Sequence, residues 1–462
     1  MLKGNQQSRP RCFLLLPRPV FPVVSGYSLK NRSLIRILAE HYQLRLGVIC
    51  EKGLSDEERA FYRALDVRYF TFRIPKWKSM VRTAAGLFSD RPLQLAYYYD
   101  PVLLKRVRKE AARADVVIGA LIRTRQYFDA AGAAISGAAG GVRGAGFGSV
   151  RGVGFGGVRG AGFGGVRGAD AGRDAGTGVG RGSAARTDGP VVVFDMVDSI
   201  AMNYARSEKK TRSPFWKLIY HIEEKRLAAY EQKFVRESDV TFLFNPGEQK
   251  AMAKHGHVVC LPHGVDEKLF SYGPEAAGSA VEGSGSGQNL AAGAVVFMGK
   301  MDYQPNVDAA LWYLKEVHPH LTGKVPFVIV GAYPVKAVCQ AAEQFPDVTV
   351  TGFVDDPYRI AAGSLCMVAP MQSGGGIQNK VLEGMALGKV NLVSSLAAAA
   401  LTGVESGREL WVADRPEDYV KRILALKENP ESGRAMGERA REYIKGRYTW
   451  EKYGEAYLKE IM

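Results

Sequence analysis

The stretch Leu365-Cys366-Met367-Val368-Ala369, followed by Ser373-Gly374-Gly375-Gly376-Ile377-Gln378-Asn379-Lys380-Val381-Leu382-Glu383-Gly384-Met385-Ala386, reads as a strand, a glycine turn and the start of a helix. Its first five residues are a short apolar run of the kind that parallel sheets bury between helices. Three successive glycines let backbone N–H groups approach an anion closely. The helix that follows adds unpaired N–H groups and the positive end of its dipole. Lys380, in the first turn, contributes a full positive charge, and Glu383 stands at i+3 from it. A carboxylate there is a poor phosphate ligand but a good acceptor for two neighbouring ribose hydroxyls. The stretch therefore reads as a nucleoside-diphosphate site with a ribose clamp; the plainer alternative is a glycine turn with a surface Lys380–Glu383 pair. It is not a Walker loop, because no Gly-Lys-Ser/Thr follows, and it is not GxGxxG.

On either side of this turn the sequence alternates strands and helices. Strands are expected near residues 12–16, 44–50, 67–74, 115–120, 191–194 and 240–244 in the first half. In the second they are expected near 294–298, 326–330, 348–351, 365–369, 390–393 and 410–412. Helical spacing is present at 31–40, 217–237 and 307–317. Such alternation implies two doubly wound parallel sheets of α/β class, with ligands bound beyond the carboxyl ends of the strands, in the cleft between the domains. The expected boundaries are an acceptor-side first domain over 1–262, a nucleotide-binding second domain over 263–446, and a closing helix over 447–462. The aromatic face of that helix (Trp450, Tyr453, Tyr457) is expected to pack back on the first domain.

Residues 131–190 interrupt the first domain and hold 22 of the 53 glycines. An octapeptide beginning Val142-Arg143-Gly144 recurs from Val150 and Val158, and in decayed form from Val166. Eight residues is too short for helical repeat families, and glycine at this density leaves few side chains to pack, so a disordered surface insertion is expected. A second small-residue stretch, 273–293, reads as a linker.

The formal charge is +15, and the insertion, with seven arginines and three aspartates, supplies +4 of it. Clusters at 105–109 and 209–212 supply part of the rest, which suits peripheral contact with an anionic membrane. The five cysteines are far apart and form no CxxC, which excludes a disulfide scaffold and a thiolate zinc site and fits a reducing cytosol. No apolar run is long enough to span a bilayer. The expected location is cytoplasmic, peripheral on the inner face of the membrane.

In its motifs the chain resembles the group-1 (family 4) nucleotide-sugar glycosyltransferases of the GT-B fold. Gly375 and Glu383 have the spacing of that family's Glu-x7-Glu signature, with glycine in place of the first acid. The form GGGxxxKxxE found here resembles a subgroup associated with exopolysaccharide assembly. The resemblance extends to Phe297-Met298-Gly299-Lys300-Met301, Pro305-Asn306-Val307-Asp308, Gly352-Phe353-Val354-Asp355-Asp356, Pro262-His263-Gly264-Val265-Asp266, Ser25-Gly26 and Asp195-Met196-Val197-Asp198-Ser199.

The resemblance implies transfer of a sugar from a nucleoside diphosphate sugar to a hydroxyl on a glycan or lipid-linked acceptor. It further implies retention of configuration, no metal and no cofactor. It implies that Gly26, Gly375 and Gly376 present N–H groups to the donor, that Lys300 and Lys380 face its phosphates, that Val354 meets the base through its backbone and that Glu383 holds the ribose. Asp195 and His263 are further catalytic candidates, and Arg123 and Asp198 are candidates on the acceptor side. Against these stand structural readings, a hydrogen-bonded interdomain His263 and an N-cap at Asp198. A function of another class is a non-catalytic nucleic-acid or anionic-surface binder using the Arg/Gly repeat, although no specific nucleic acid is expected.

Overall fold

The computed structural model describes residues 9–23, 26–128, 189–211, 213–272, 291–374 and 376–462, with Lys210 as backbone only. The octapeptide repeat, the small-residue stretch up to residue 290 and Gly375 lie outside the described residues.

Two parallel sheets form the body. The first has the order β3-β2-β1-β4-β5-β6-β7, from β1 (Arg11–Leu16), β2 (Gln43–Ile49), β3 (Arg68–Phe72), β4 (Val116–Ala120), β5 (Val191–Val197), β6 (Val240–Leu243) and β7 (Val258–Cys260). The second has the order β10-β9-β8-β11-β12-β13, from β8 (Val295–Met298), β9 (Phe327–Val330), β10 (Val348–Val350), β11 (Cys366–Ala369), β12 (Asn391–Val393) and β13 (Trp411–Val412). Every pairing is parallel, for example Leu14 with Leu46 and Ile118, and Val296 with Val328 and Met367. Central strands such as β4, β8, β9 and β11 are buried along their whole length, which accounts for their unbroken apolar runs.

In each sheet the winding reverses once, between β1 and β4 and between β8 and β11. A crevice opens at such a reversal beyond the carboxyl ends of the two strands. In the chain the repeat stands between the Leu121–Arg125 helix and β5.

The second domain is built around one continuous core, which runs from Val265 through β8, β9, β11 and β12 to Tyr448. The core of the first is divided among three clusters. The Trp450–Ile461 helix packs on the largest of these: Tyr453, Tyr457, Leu458 and Ile461 join Leu14, Leu34 and Leu38, and Tyr457 stacks on Phe242 at 4.2 Å. Gly454 meets Ile37 so closely that a Cβ would lie 3.2 Å from it. Gly264 has no room for a side chain, because a Cβ would fall 2.5 Å from the Trp450 nitrogen. The chain thus crosses between domains at Gly264 and crosses back against it at Thr449–Trp450. Among the described residues no helix is long and apolar enough to cross a membrane.

Candidate functional site

The glycine turn after β11 needs glycine for its backbone. Gly374 and Gly376 have φ of +109° and +70°, a region other residues avoid. The Asn379–Ala386 helix then begins at Gln378 without a side-chain cap, so its first N–H groups stay open to an anion. Lys380 is buried. Its Nζ donates to Asn306 Oδ1 at 2.8 Å and lies 3.4 Å from Gln378 Oε1, 3.7 Å from Met371 Sδ and over the Phe297 ring. All of these partners are neutral, and burial pulls the ammonium down to about 8. The surface Lys380–Glu383 pair is not formed: Lys380 points inward, and Glu383 Oε1 accepts from the Tyr358 hydroxyl at 3.1 Å. Burial raises the Glu383 pKa, against the Tyr358 hydrogen bond and the charge of Lys380. Glu383 lines a narrow pocket with His263, Asp266, Tyr358 and Asn379.

Asn306 was quoted in the sequence only as part of a motif. Its amide joins two site elements, because Nδ2 donates to the Lys300 carbonyl at 2.9 Å while Oδ1 takes the Lys380 ammonium. The ammonium of Lys300 is not brought to the same place. It bonds Asp302 at 2.9 Å and lies 5.2 Å from the centre of the Tyr333 ring, on the exposed side of the loop after β8. Tyr333 itself holds φ of +57°, a strained conformation at the carboxyl end of β9. Val354 is half-buried against the second core, beside an exposed Phe353.

The first domain meets this site at Gly26, where the Gly26–His41 helix begins. A Cβ on Gly26 would lie 2.9 Å from Asn379 Nδ2, so the amino ends of two helices approach one another across the domains. His263 sits beside them. Its Nδ1 faces the Gly264 carbonyl at 2.8 Å, its Nε2 faces Asn379 Oδ1 at 2.9 Å, and its ring lies between Phe244 and Trp450. Burial lowers its pKa, so the neutral imidazole is favoured. Each nitrogen faces an oxygen and the neutral ring donates to one of them, so the residue braces the domain junction.

Two expectations about the 195–199 segment are corrected. The strand does not stop near residue 194; β5 continues to Val197, with a bulge between Asp195 and Val197. Asp195, a catalytic candidate in the sequence, is therefore inside the sheet, fully buried, and forms an ion pair with Lys30 of the Gly26–His41 helix. The N-cap of the next helix is Ser199, not Asp198. Asp198 is partly exposed at the sheet's carboxyl edge, where it accepts from Asn203 Nδ2 at 2.7 Å. Burial, then the neighbouring Glu248, pushes its pKa up to about 6. Its charge also raises the Tyr303 hydroxyl of the second domain, after desolvation. Arg123, between β4 and the repeat, donates to Gln94 at 2.9 Å and lies over Tyr98. Gly26, Gly376, Lys380, Glu383 and His263 thus converge, whereas Lys300 Nζ and Asp195 do not join them. Gly375 lies outside the described residues.

Residues 292–429 match the family model described as Glycosyl transferases group 1. A stretch of 176 residues is 23% identical to an uncharacterized 44.6 kDa protein in the cps region of Klebsiella pneumoniae; it covers 36% of this chain and 45% of that protein, less than half of the relative's length. In three dimensions the chain is similar to Anabaena HepE, solved in complex with UDP-glucose, with a TM-score of 0.61 at 12% identity over 97% of this chain and 98% of that one. It is also similar to sucrose-phosphate synthase from Thermosynechococcus elongatus, with a TM-score of 0.60 at 12% identity over 97% and 98% of the two chains. A glycosyltransferase from Rickettsia africae gives 0.56 at 10% identity over 97% of each. At these identities the structural likeness establishes the fold, which is GT-B. The family match falls on the half that carries the glycine turn.

Proposed function

We propose that the protein transfers a sugar from a nucleoside diphosphate sugar to a hydroxyl acceptor in the assembly of an exopolysaccharide or other cell-surface glycan. One observation carries this reading. At the switch point of the second sheet, the uncapped helix start beside Gly376 holds a buried lysine whose partners are all neutral, with Glu383 one turn further on. An anion is the missing complement of that arrangement, and a ribose diol suits the carboxylate beyond it. The UDP-glucose held by HepE and the cps-region setting of the Klebsiella relative support the donor class and the glycan setting.

In this reading the C1–oxygen bond to the diphosphate breaks while the acceptor oxygen bonds to C1 on the same face. Configuration is retained, and the acceptor proton passes to the leaving diphosphate. Lys380 and the N–H groups of Gly26, Gly375 and Gly376 meet the charge that develops there. Lys300 joins them when its ammonium leaves Asp302, Val354 meets the base through its backbone, and Glu383 holds the ribose. Asp198 and Arg123 receive the acceptor from the first domain. His263 works by holding Asn379, and Asp195 by holding Lys30. Neither a metal nor a cofactor enters.

The test is release of nucleotide from UDP-, GDP- and ADP-sugars by the wild type and by Lys380→Ala. Turnover falling about 10²–10³-fold, the usual cost of one lost transition-state donor, is the expected result. Unchanged turnover in the variant contradicts the assignment.

A further inference from the structure

The first domain carries a surface that the donor site does not use. The Lys76–Gly86 helix is turned inside out. Trp77, Met80 and Val81, at i, i+3 and i+4, are exposed, while Ser79 and Gly86 are its buried residues. A surface helix ordinarily turns its apolar stripe to the core. Leu87 and Phe88 follow, and Phe88 is 93% exposed. The Pro214–Arg236 helix repeats the exposure. Phe215, Trp216, Leu218 and Ile222 of its first turns are exposed, and burial begins only at Glu223, continuing through Leu227, Glu231, Phe234 and Val235. The two elements adjoin, because Arg226 donates to the carbonyls of Gly86 and Leu87 and Glu223 accepts from Leu93 N at 2.7 Å. Adjoining elements that each expose a run of large apolar side chains depart from the scattered apolar exposure of ordinary surfaces.

The charge around the patch says what covers it. Residues 73–91 and 206–226 contain 12 Lys and Arg against 4 Asp and Glu, so they carry +8 of the chain's +15. Lys78, Lys209, Lys217 and Lys225 form no ion pair with any described residue, whereas Lys76 and Arg226 do. Aromatic and aliphatic side chains among unpaired lysines match a bilayer surface, where the rings enter the headgroup boundary and the ammonium groups reach lipid phosphates.

We propose that this face docks on an anionic lipid bilayer. The inference goes beyond the donor reading and does not depend on it. Its placement suits the acceptor side. The Pro214–Arg236 helix has 23 residues, about 34 Å, and returns along strands of about 23 Å or less, so its first turns overhang the carboxyl edge of the sheet. There Trp216 stacks on Tyr220 at 5.9 Å, and Tyr220 meets Tyr204 at 5.5 Å, on the helix that starts just after Asp198. A docked bilayer would lie alongside the part of the cleft assigned to the acceptor.

Co-sedimentation of the full chain with vesicles of phosphatidylcholine, with and without phosphatidylglycerol, tests the proposal. The wild type is expected to bind only the anionic vesicles. Binding should fall about fivefold for each lysine removed in Lys78→Gln/Lys217→Gln, and at least about tenfold in Phe88→Ser/Trp216→Ser. Nucleotide binding should be unchanged in both, which separates this surface from the donor site. The proposal is overturned if the wild type ignores anionic vesicles or if both variants bind like the wild type. Loss of vesicle binding only on deletion of residues 140–182 also overturns it, because the repeat is then the binder. So does a wild-type dimer that Phe88→Ser/Trp216→Ser dissociates, in the absence of vesicle binding, because the patch then belongs to a second copy.

Discussion

Each domain buries a lysine near the start of a helix that follows a strand at its switch point, and the two are treated differently. Lys30, after β1, is neutralised within the first domain by Asp195 of β5. Lys380, after β11, meets only Asn306, Gln378, a thioether and a ring. The first is a closed structural pair. The second is a buried charge with no directly bonded anion, offset only in part by the field of Glu383, and such a charge is costly in a folded protein unless something else completes it. In the proposed function the difference separates a lysine that supports the fold from one that meets the donor. It also agrees with the cores, one continuous in the second domain and three smaller clusters in the first.

The strongest way to break the comparison is at Asp195. Asp195→Ala leaves Lys30 buried without its partner and is expected to cost about 3–5 kcal/mol of stability, read as a lower denaturant midpoint. Lys30→Met/Asp195→Leu, which removes both charges, should recover much of that loss. If the single and double variants are equally unstable, the pair is not the reason for the loss.

Lys380 should behave in the opposite way. Its folded pKa is depressed to about 8 from 10.5. Its contribution to stability is therefore fully present above the unfolded value and lost as pH falls through about 8. At pH 7 the unliganded protein carries the buried charge at a cost of about 3 kcal/mol, an upper figure. Lys380→Met is expected to raise the melting temperature at pH 7, and to raise it less at pH 9. Nucleotide affinity of the wild type should fall as pH rises through about 8, with proton uptake on binding that calorimetry in two buffers would detect. A variant that melts lower than the wild type at pH 7 removes the contrast with Lys30.

Smaller effects are expected on the acceptor side. Asp198 titrates at about 6, raised by burial and Glu248, so its contribution to stability is full below the ordinary carboxyl value of 3.8 and is lost as pH rises through 6. If its ionised form receives the acceptor, kcat/KM for acceptor should rise through pH 6 in the wild type. Asp198→Asn should abolish that limb and lower the plateau about tenfold. An unchanged pH profile excludes the role.

Much of the fold was legible in the sequence, because buried parallel strands are continuous apolar runs and the repeat was too short and glycine-rich to be mistaken for one. The three-residue β7 was missed, because Val258-Val259-Cys260 is too short to show a period. The Lys76–Gly86 helix was missed because its apolar stripe is only Trp77, Met80 and Val81, too short a run to fix a period. In the site, the closeness of Lys380 and Glu383 was legible from their spacing, since one turn of one helix separates them. Lys30–Asp195 and His263–Asn379 were not, because each contact joins residues more than a hundred positions apart. Asp195 was misplaced by the bulge that lets β5 run on to Val197, and that bulge has no local sequence signal.

The measurement that bears most directly on the central claim is calorimetric titration of UDP, GDP and ADP into the wild type and Glu383→Ala. The account predicts that one nucleotide binds the wild type and that the variant, folded and with Lys380 intact, binds it at least about tenfold more weakly, as expected when a charged hydrogen-bond acceptor is removed. If none of the three binds folded wild-type protein, or if the variant binds as tightly as the wild type, the diphosphate and ribose site is not where Lys380 and Glu383 place it.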